Sequence, residues 1–174
     1  MQNLSKQQWL LIVGLIAVAC AARLLPHPPN FSPVAAVALF AGAAVGSRLW
    51  ALAVPLLALG VTDFILGLHA TLPAVYLAVA LCVLLGPWLR KGGVLRIGAG
   101  AVGGSALFFV ITNLAVWAFG GLYPLSAAGL TECFILALPF FHNTLAATLL
   151  YSAALFGAFR LAQGRLPTEA PATA

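Results

Sequence analysis

Long apolar runs separated by short polar stretches dominate this chain. A helix that crosses a bilayer needs about 17–25 mostly apolar residues. Runs of that kind fall at about 7–25, 31–47, 49–68, 72–89 and 97–119. The stretch 125–162 is too long for one span and contains Pro139, which removes a helical hydrogen bond. We therefore divide it into a segment at about 126–138 and a sixth span at about 141–161.

This pattern predicts an all-α integral membrane protein, a bundle of six transmembrane helices. The second run is short and rich in Ala and Gly. One domain over residues 1–165 accounts for all the runs. The tail 166–174, LPTEAPATA, is polar enough that we expect it to be disordered.

Composition excludes a soluble fold. Of the 174 residues, 63% are hydrophobic and 6% are charged, and the mean hydropathy is +1.10. A soluble domain carries about a quarter charged residues. The N-terminal apolar run continues for about 17 residues without a small-x-small cleavage pattern, so we interpret it as a retained helix and not as a signal peptide.

The positive charges predict the orientation. Net charge is +5, without the basic cluster and interleaved aromatics that would indicate nucleic-acid binding. With six spans, Arg23 lies on one side of the membrane and every other cation lies on the side of the termini. Those cations are Lys6, Arg48, Arg90, Lys91, Arg96, Arg160 and Arg165. Because positive residues concentrate on the cytoplasmic side, we expect both termini to be cytoplasmic.

The same topology gathers the remaining polar residues on the outer side. The first outer loop, RLLPHPPNFSP, holds Arg23, His27 and Asn30 among four prolines. Asp63 lies near the outer end of the third span, where a carboxylate needs a partner or a polar cavity. It can form an ion pair with Arg23, line a solute site, or do both.

Histidines and aromatic residues add to this outer set. His27 is either a loop residue or a contact to a ligand or metal. His69, His142 and Glu132 could join His27 and Asp63 around a transition metal, although their spacing lacks the i, i+3 or i, i+4 pattern of a helical metal site. Asn113 and Trp117 share a helix face, and the cluster Phe140–Thr144 suits the mouth of a pocket.

Enzymatic chemistry is not indicated. The chain has no phosphate-binding loop, nucleophile elbow or HExxH motif. Its three cysteines, Cys20, Cys82 and Cys133, are widely spaced and form no CxxC pair. We expect a binding or translocating protein that requires no cofactor.

Three segments carry a resemblance to a known group of proteins. RLLPHPPNFSPVAAVALFAGA, PLLALGVTDFILGLH and AVYLAVAL resemble small bacterial membrane proteins that are similar to the substrate-binding S-components of energy-coupling-factor (ECF) vitamin transporters. Within that group, the chain is most similar to the solitary vitamin B12 (cobalamin) transporters. The resemblance covers residues 10–160.

The resemblance implies a multi-pass protein of the bacterial cytoplasmic membrane that takes up a vitamin-like solute from an outward-facing pocket. The small-residue face with Ala17 and Ala21 would meet an ECF coupling subunit and, through it, its ATPases. Cobalamin would be the favoured transported ligand. Cys82 would contact its cobalt, and Tyr76 is the other residue that could occupy the cysteine's place.

The leading hypothesis is an S-component-like uptake protein. Its expected ligand-binding residues are His27, Asn30, Phe31, Asp63, Tyr76, Asn113, Trp117, His142 and Asn143, with Cys82 as a cobalt ligand. Two alternatives stay open: a metal-handling protein or enzyme that uses the outer His, Asp and Glu residues, and a structural subunit without a solute.

Overall fold

The computed structural model describes residues 5–165, without the side chains of 163–165. The predicted tail 166–174 lies outside the described residues. The described chain forms six α-helices: α1 (Lys6–Leu24), α2 (Val34–Ala44), α3 (Arg48–Leu66), α4 (Leu72–Leu89), α5 (Val94–Phe119) and α6 (Ala127–Arg165). The all-α prediction is confirmed. Five of the helices, all except α2, are long and apolar enough to cross a membrane.

Helix α2 is the centre of the bundle. Every residue from Val34 to Ala43 is buried, as expected for a helix that is apolar on all sides. It contacts all five other helices. Its 11 residues span roughly 16 Å, about half of the bilayer core. The predicted second span, 31–47, is therefore helical only over its middle part.

The last turn of α2 and the loop before it are bonded by side chains from other parts of the bundle. Arg90 Nε donates to the carbonyl oxygen of Ala43 at 2.8 Å. At the other end, Asn143 Nδ2 donates to the carbonyl oxygen of Pro29 at 2.9 Å. Backbone polar groups at membrane depth are tolerated only when protein groups satisfy them. These bonds allow a short helix to occupy the middle of an apolar bundle.

Helix α6 corrects the predicted division of the C-terminal stretch. It is one continuous helix of 39 residues that includes Pro139, and not a separate segment and span. At 1.5 Å per residue it is about 58 Å long. Proline is tolerated in membrane helices because neighbouring groups and local adjustments compensate for the missing bond, so Pro139 does not end this helix.

Contacts between helix ends show that α1 and α3 run in the same direction and that α5 and α6 run in opposite directions. Trp9 and Trp50, near the starts of α1 and α3, pack edge to face with centroids 4.8 Å apart. Arg23 and Asp63 meet near the ends of the same helices. Arg160, near the end of α6, donates to the carbonyl oxygen of Gly92, just before α5.

The bundle therefore has two chemically different ends. We call one the basic end; in the described part of the chain it holds Lys6, Arg48, Arg90, Lys91, Arg96 and Arg160. We call the other the cavity end; it holds Arg23, Asn30, Asp63 and Asn113. This separation agrees with the predicted sorting of the charges along the chain.

Two glycines set how closely α2 and α4 approach. A Cβ on Gly42 would collide with the carbonyl oxygen of Val83, and one on Gly86 would lie 2.5 Å from the Cα of Gly42. Small residues at such crossings let helix backbones touch in a membrane. Gly42, in the Ala- and Gly-rich second run, thus contributes to a contact inside the bundle.

We expect Gly42→Ala to lower the free energy of unfolding by about 1–3 kcal/mol, because the added methyl group meets rigid backbone. Gly14→Ala is the matched control, since Gly14 lies in α1 and a Cβ added there would have nothing within 4 Å. Thermal unfolding in detergent measures both. Equal melting temperatures for the two variants would contradict this view of the crossing.

Candidate functional site

A cavity of about 340 Å³ opens at the cavity end. Its walls come from the end of α1, the loop to α2, the ends of α3 and α5, the start of α4 and the middle of α6. The polar residues that line it are Arg23, His27, Asn30, Ser32, Asp63, His69, Thr112, Asn113 and Thr144. This volume is at the lower end of the range for small-molecule sites, about 300–1,000 Å³.

The predicted ion pair between Arg23 and Asp63 is confirmed. Arg23 Nη2 lies 2.7 Å from Asp63 Oδ1, and the side chains are 17% and 4% exposed. Arg23 is in the last turn of α1, where the helix dipole favours a cation. Asp63 lies near the C-terminal end of α3, where the dipole disfavours an anion, so the carboxylate depends on Arg23.

The pair also lines the cavity. Asp63 is therefore both the partner of Arg23 and part of the cavity wall, the two positions considered for it from the sequence. Arg23 Nη1 and Asp63 Oδ2 are buried and have no hydrogen-bond partner among residues 5–165. A buried polar atom without a partner costs about 1–3 kcal/mol. The pair is therefore incomplete: two residues that line the cavity keep one donor and one acceptor unused.

The loop between α1 and α2 forms a structured wall of the cavity. Phe31 N donates to the carbonyl oxygen of Pro28 at 3.0 Å, which closes a β-turn with Pro29 and Asn30 at its centre. Asn30 has φ 60°, a conformation that Asn adopts more readily than most residues. Its identity thus has a backbone explanation in addition to its place at the cavity.

His27 bonds within this loop. Its Nδ1 lies 2.9 Å from the carbonyl oxygen of Pro28, and its Nε2 lies 3.3 Å from that of Arg23. A carbonyl oxygen only accepts, so the doubly protonated ring satisfies both contacts and a neutral tautomer satisfies one. His27 therefore connects the turn to the end of α1 beside the ion pair.

Helix α6 holds the loop from the other side. Besides the bond from Asn143 to Pro29, Thr144 Oγ1 lies 3.4 Å from the carbonyl oxygen of Asn30 and 3.1 Å from that of Phe140. The cluster Phe140–Thr144 thus contributes both to the wall of the cavity and to the position of the loop.

Aromatic rings form the opposite wall. Phe108, Phe109, Phe140 and Phe141 line the cavity. The rings of Phe109 and Phe141 are 4.9 Å apart, and Phe109 also packs on Phe134 at 5.4 Å. On the same part of α5, Thr112 and Asn113 donate to the carbonyl oxygens of Phe108 and Phe109, each at 2.8 Å. These rings give the cavity an apolar side built from rings that are tilted against one another.

Of the nine predicted ligand-binding residues, the structure brings His27, Asn30, Asp63 and Asn113 to the cavity. The other five lie elsewhere. Phe31 packs against Tyr151, with centroids 6.2 Å apart, and Trp117 Nε1 donates to the carbonyl oxygen of Pro124 at 3.0 Å. His142 is exposed on α6.

Asn143 and Tyr76 have structural contacts in place of the predicted ligand contacts. Asn143 holds the loop at Pro29. The hydroxyl oxygen of Tyr76 lies 3.7 Å from the Cβ position of Gly60 and beside the Asp63 carboxylate, so the ring packs against α3 next to the ion pair. Neither residue is among those that line the cavity.

The predicted cobalt ligand, Cys82, lies away from the cavity. Its side chain is fully buried, with Sγ 3.7 Å from the carbonyl oxygen of Gly104, between α4 and α5. Cys82 does not line the cavity, because α4 directs it into the packed core near Leu39. The structure therefore does not support a role in contacting a solute there.

The residues of the metal alternative are not brought together either. In residues 5–165, no group of three or more His, Cys, Asp or Glu side chains could hold a metal ion. His69 bonds Thr71 Oγ1 through Nδ1 at 2.9 Å. Glu132 is exposed on the first part of α6.

Sequence reasoning missed Ser32, Phe108, Phe109 and Thr112. On α5, Phe109 lies four residues before Asn113 and Phe108 lies four residues before Thr112, the spacing of neighbours on one helix face. The pairing of aromatic and polar residues over this turn was the signal that could have identified them. Ser32 sits in the loop, where its Oγ accepts from Val34 N at 3.4 Å.

Fold and cavity together define a small helical membrane protein with a polar and aromatic cavity at one end of its bundle. The chain belongs to a family of unknown function, DUF6580, whose model matches residues 3–170. No curated protein and no solved structure matches the chain.

We expect Asp63→Asn and Arg23→Gln each to destabilise the protein by about 3–5 kcal/mol, because each leaves one buried charge without its partner. The double variant should recover most of that loss. Lys91→Gln, an exposed cation at the basic end, is the control and should change stability by no more than about 0.5 kcal/mol. Additive losses in the double variant would show that the pair is not coupled.

Proposed function

We propose that this protein binds a small vitamin-like solute in the cavity and takes it up across the bacterial cytoplasmic membrane, in the manner of an S-component. The observation that carries this proposal is the incomplete Arg23–Asp63 pair at the wall of a partly aromatic cavity. Intramembrane charged residues usually mark solute pathways, and small-molecule sites combine apolar walls with a few polar groups.

The separation of charges supports an outward-facing cavity. In the described residues, the basic end holds every cation except Arg23. Since cations concentrate on the cytoplasmic side of membrane proteins, the basic end is assigned to the cytoplasm. The cavity then opens to the outside, and both ends of the described chain face the cytoplasm.

Size favours a solute smaller than cobalamin. A corrinoid is far larger than a cavity of about 340 Å³, and Cys82, its expected cobalt contact, is buried away from the cavity. Cobalamin therefore requires a wide opening of the loop between α1 and α2. A flat molecule of one or two rings fits in the cavity without such an opening of the loop.

The outer face of α1 supports a partner in transport. Ala17 and Ala21 are exposed on this helix, as is Gly14. Small residues on a lipid-facing helix allow close approach of another helix. An ECF coupling subunit with its ATPases is the partner proposed for this face, and it would supply the energy for uptake.

Mass spectrometry of small molecules that co-purify with the protein tests the solute directly. We expect a stoichiometric non-lipid molecule on the native protein. Ala137→Phe should remove it, because Ala137 is buried and lines the cavity, and a larger side chain fills that space. Ala146→Phe, at an exposed position of α6, should retain it.

Native protein that carries no such molecule and binds no member of a vitamin panel by calorimetry would refute the proposal in favour of a structural subunit. A corrinoid absorption band on the native protein would instead restore cobalamin as the solute.

Orientation is tested by cysteine labelling in intact cells. Single cysteines at Leu122, in the loop before α6, and at Lys91, at the basic end, would be placed in a variant that lacks Cys20, Cys82 and Cys133. A membrane-impermeant maleimide should label Leu122→Cys and leave Lys91→Cys unlabelled until the cells are opened. The reverse pattern would contradict the assigned orientation.

A further inference from the structure

The incomplete ion pair specifies a chemical pattern for the solute. Arg23 Nη2 and Asp63 Oδ1 bond each other at 2.7 Å, which leaves Nη1 as a donor and Oδ2 as an acceptor without partners in the described residues. Both atoms belong to one bonded pair, so a single group that engages the pair has one donor and one acceptor to satisfy. A complementary group must offer an acceptor next to a donor.

We propose that the cavity binds neutral solutes with a carboxamide-like group, meaning a C=O acceptor beside an N–H donor, as in amides, lactams and ureides. The C=O accepts from Arg23 Nη1 and the N–H donates to Asp63 Oδ2. This inference rests on the proposed function and adds the chemical class of the solute.

Charge selects against ionic solutes. The pair is neutral as a whole, so an anion would meet the Asp63 carboxylate and a cation would meet the Arg23 guanidinium. No third charged side chain that lines the cavity compensates either one, apart from a protonated His27 or His69. Burying an uncompensated charge costs far more than burying a bonded neutral group.

The other polar groups of the cavity are largely occupied. Thr112 and Asn113 donate to carbonyl oxygens of their own helix, and both ring nitrogens of His27 face carbonyl oxygens of the loop. The unused atoms of the ion pair are therefore the strongest polar attachment that the cavity offers.

The remaining lining favours a flat ring attached to the amide. Phe109 and Phe141 present rings 4.9 Å apart on the apolar side. Aromatic rings prefer offset or edge-to-face contact with other rings. The class that fits best is thus a small aromatic or heteroaromatic amide.

Access to the pair requires a small side-chain movement. Nη1 and Oδ2 are both shielded from solvent in this conformation. Arg23 is the less enclosed partner, with 17% of its side chain exposed against 4% for Asp63. A solute therefore reaches the two atoms only when Arg23 shifts.

Four matched probes test the inference on the purified full-length protein: benzamide, acetophenone, benzoate and benzylamine. They share a ring and differ in polar group: an amide, an acceptor alone, an anion and a cation. Sites built around buried hydrogen bonds reject analogues that lack one partner. We expect benzamide to bind at least about 10-fold more tightly than each of the others, measured by ligand-observed NMR titration.

Arg23→Lys keeps the charge but removes the planar second donor, so it should reduce the preference for benzamide over acetophenone to less than about 3-fold. Arg48→Lys makes the same change at an exposed position of the basic end and should leave the preference unchanged. If Arg23→Lys does not fold, the order of affinities of the four probes for the native protein tests the inference on its own.

The outcomes separate this inference from the proposed function. Benzamide binding no tighter than acetophenone binding would overturn the inference and indicate that the pair holds water. A co-purified solute without an amide, with no benzamide binding, would overturn the inference while the proposed function stands. Neither probe binding nor a co-purified solute would overturn both.

Discussion

The buried carboxylate of Asp63 is the constraint on which the cavity end depends. It lies inside an apolar bundle, near a helix end whose dipole disfavours an anion, and its side chain is 4% exposed. Arg23 is the compensating charge, and the ends of α1 and α3 must stay together to keep the two in contact. A pair of this kind contributes little net stability compared with apolar packing, because removing both ions from water is costly. Its place beside the cavity therefore points to a role other than stability.

The central position of α2 makes that cavity possible. Because α2 is short, its N-terminal end stops below the end of the bundle, and the loop before it closes over the space that remains. Prolines and the left-handed Asn30 shape this loop, while Asn143 and Thr144 of α6 hold its carbonyl oxygens. At the opposite end, Arg90 bonds the last turn of α2, and the Gly42–Gly86 contact fixes α2 against α4. Packing at the centre thus determines the depth of the cavity.

The sequence predicts the features that depend on its few charged residues. Asp63 is an isolated carboxylate in an apolar run, and Arg23 is the lone cation on its side of the predicted topology, so their pairing can be inferred. The direction in which the Cys82 side chain points cannot be inferred from the sequence. Helix α4 is apolar on all sides, so its hydrophobic periodicity does not show which face is buried. Pro139 suggests a helix break because proline interrupts helices in soluble proteins. Helices in membranes can continue through proline. The start of α2 follows from Pro33, the residue just before it, whereas the bonds from Asn143 and Arg90 come from distant parts of the chain and no local pattern of residues 31–47 predicts them.

The central claim is that the Arg23–Asp63 pair is completed by a solute. An experimental structure of the protein purified directly from its native membrane tests this most directly. The account predicts density for a small non-lipid molecule in the cavity, with polar atoms within hydrogen-bond distance of both Arg23 Nη1 and Asp63 Oδ2. An acyl chain in the cavity, or ordered water alone on these two atoms, would contradict it.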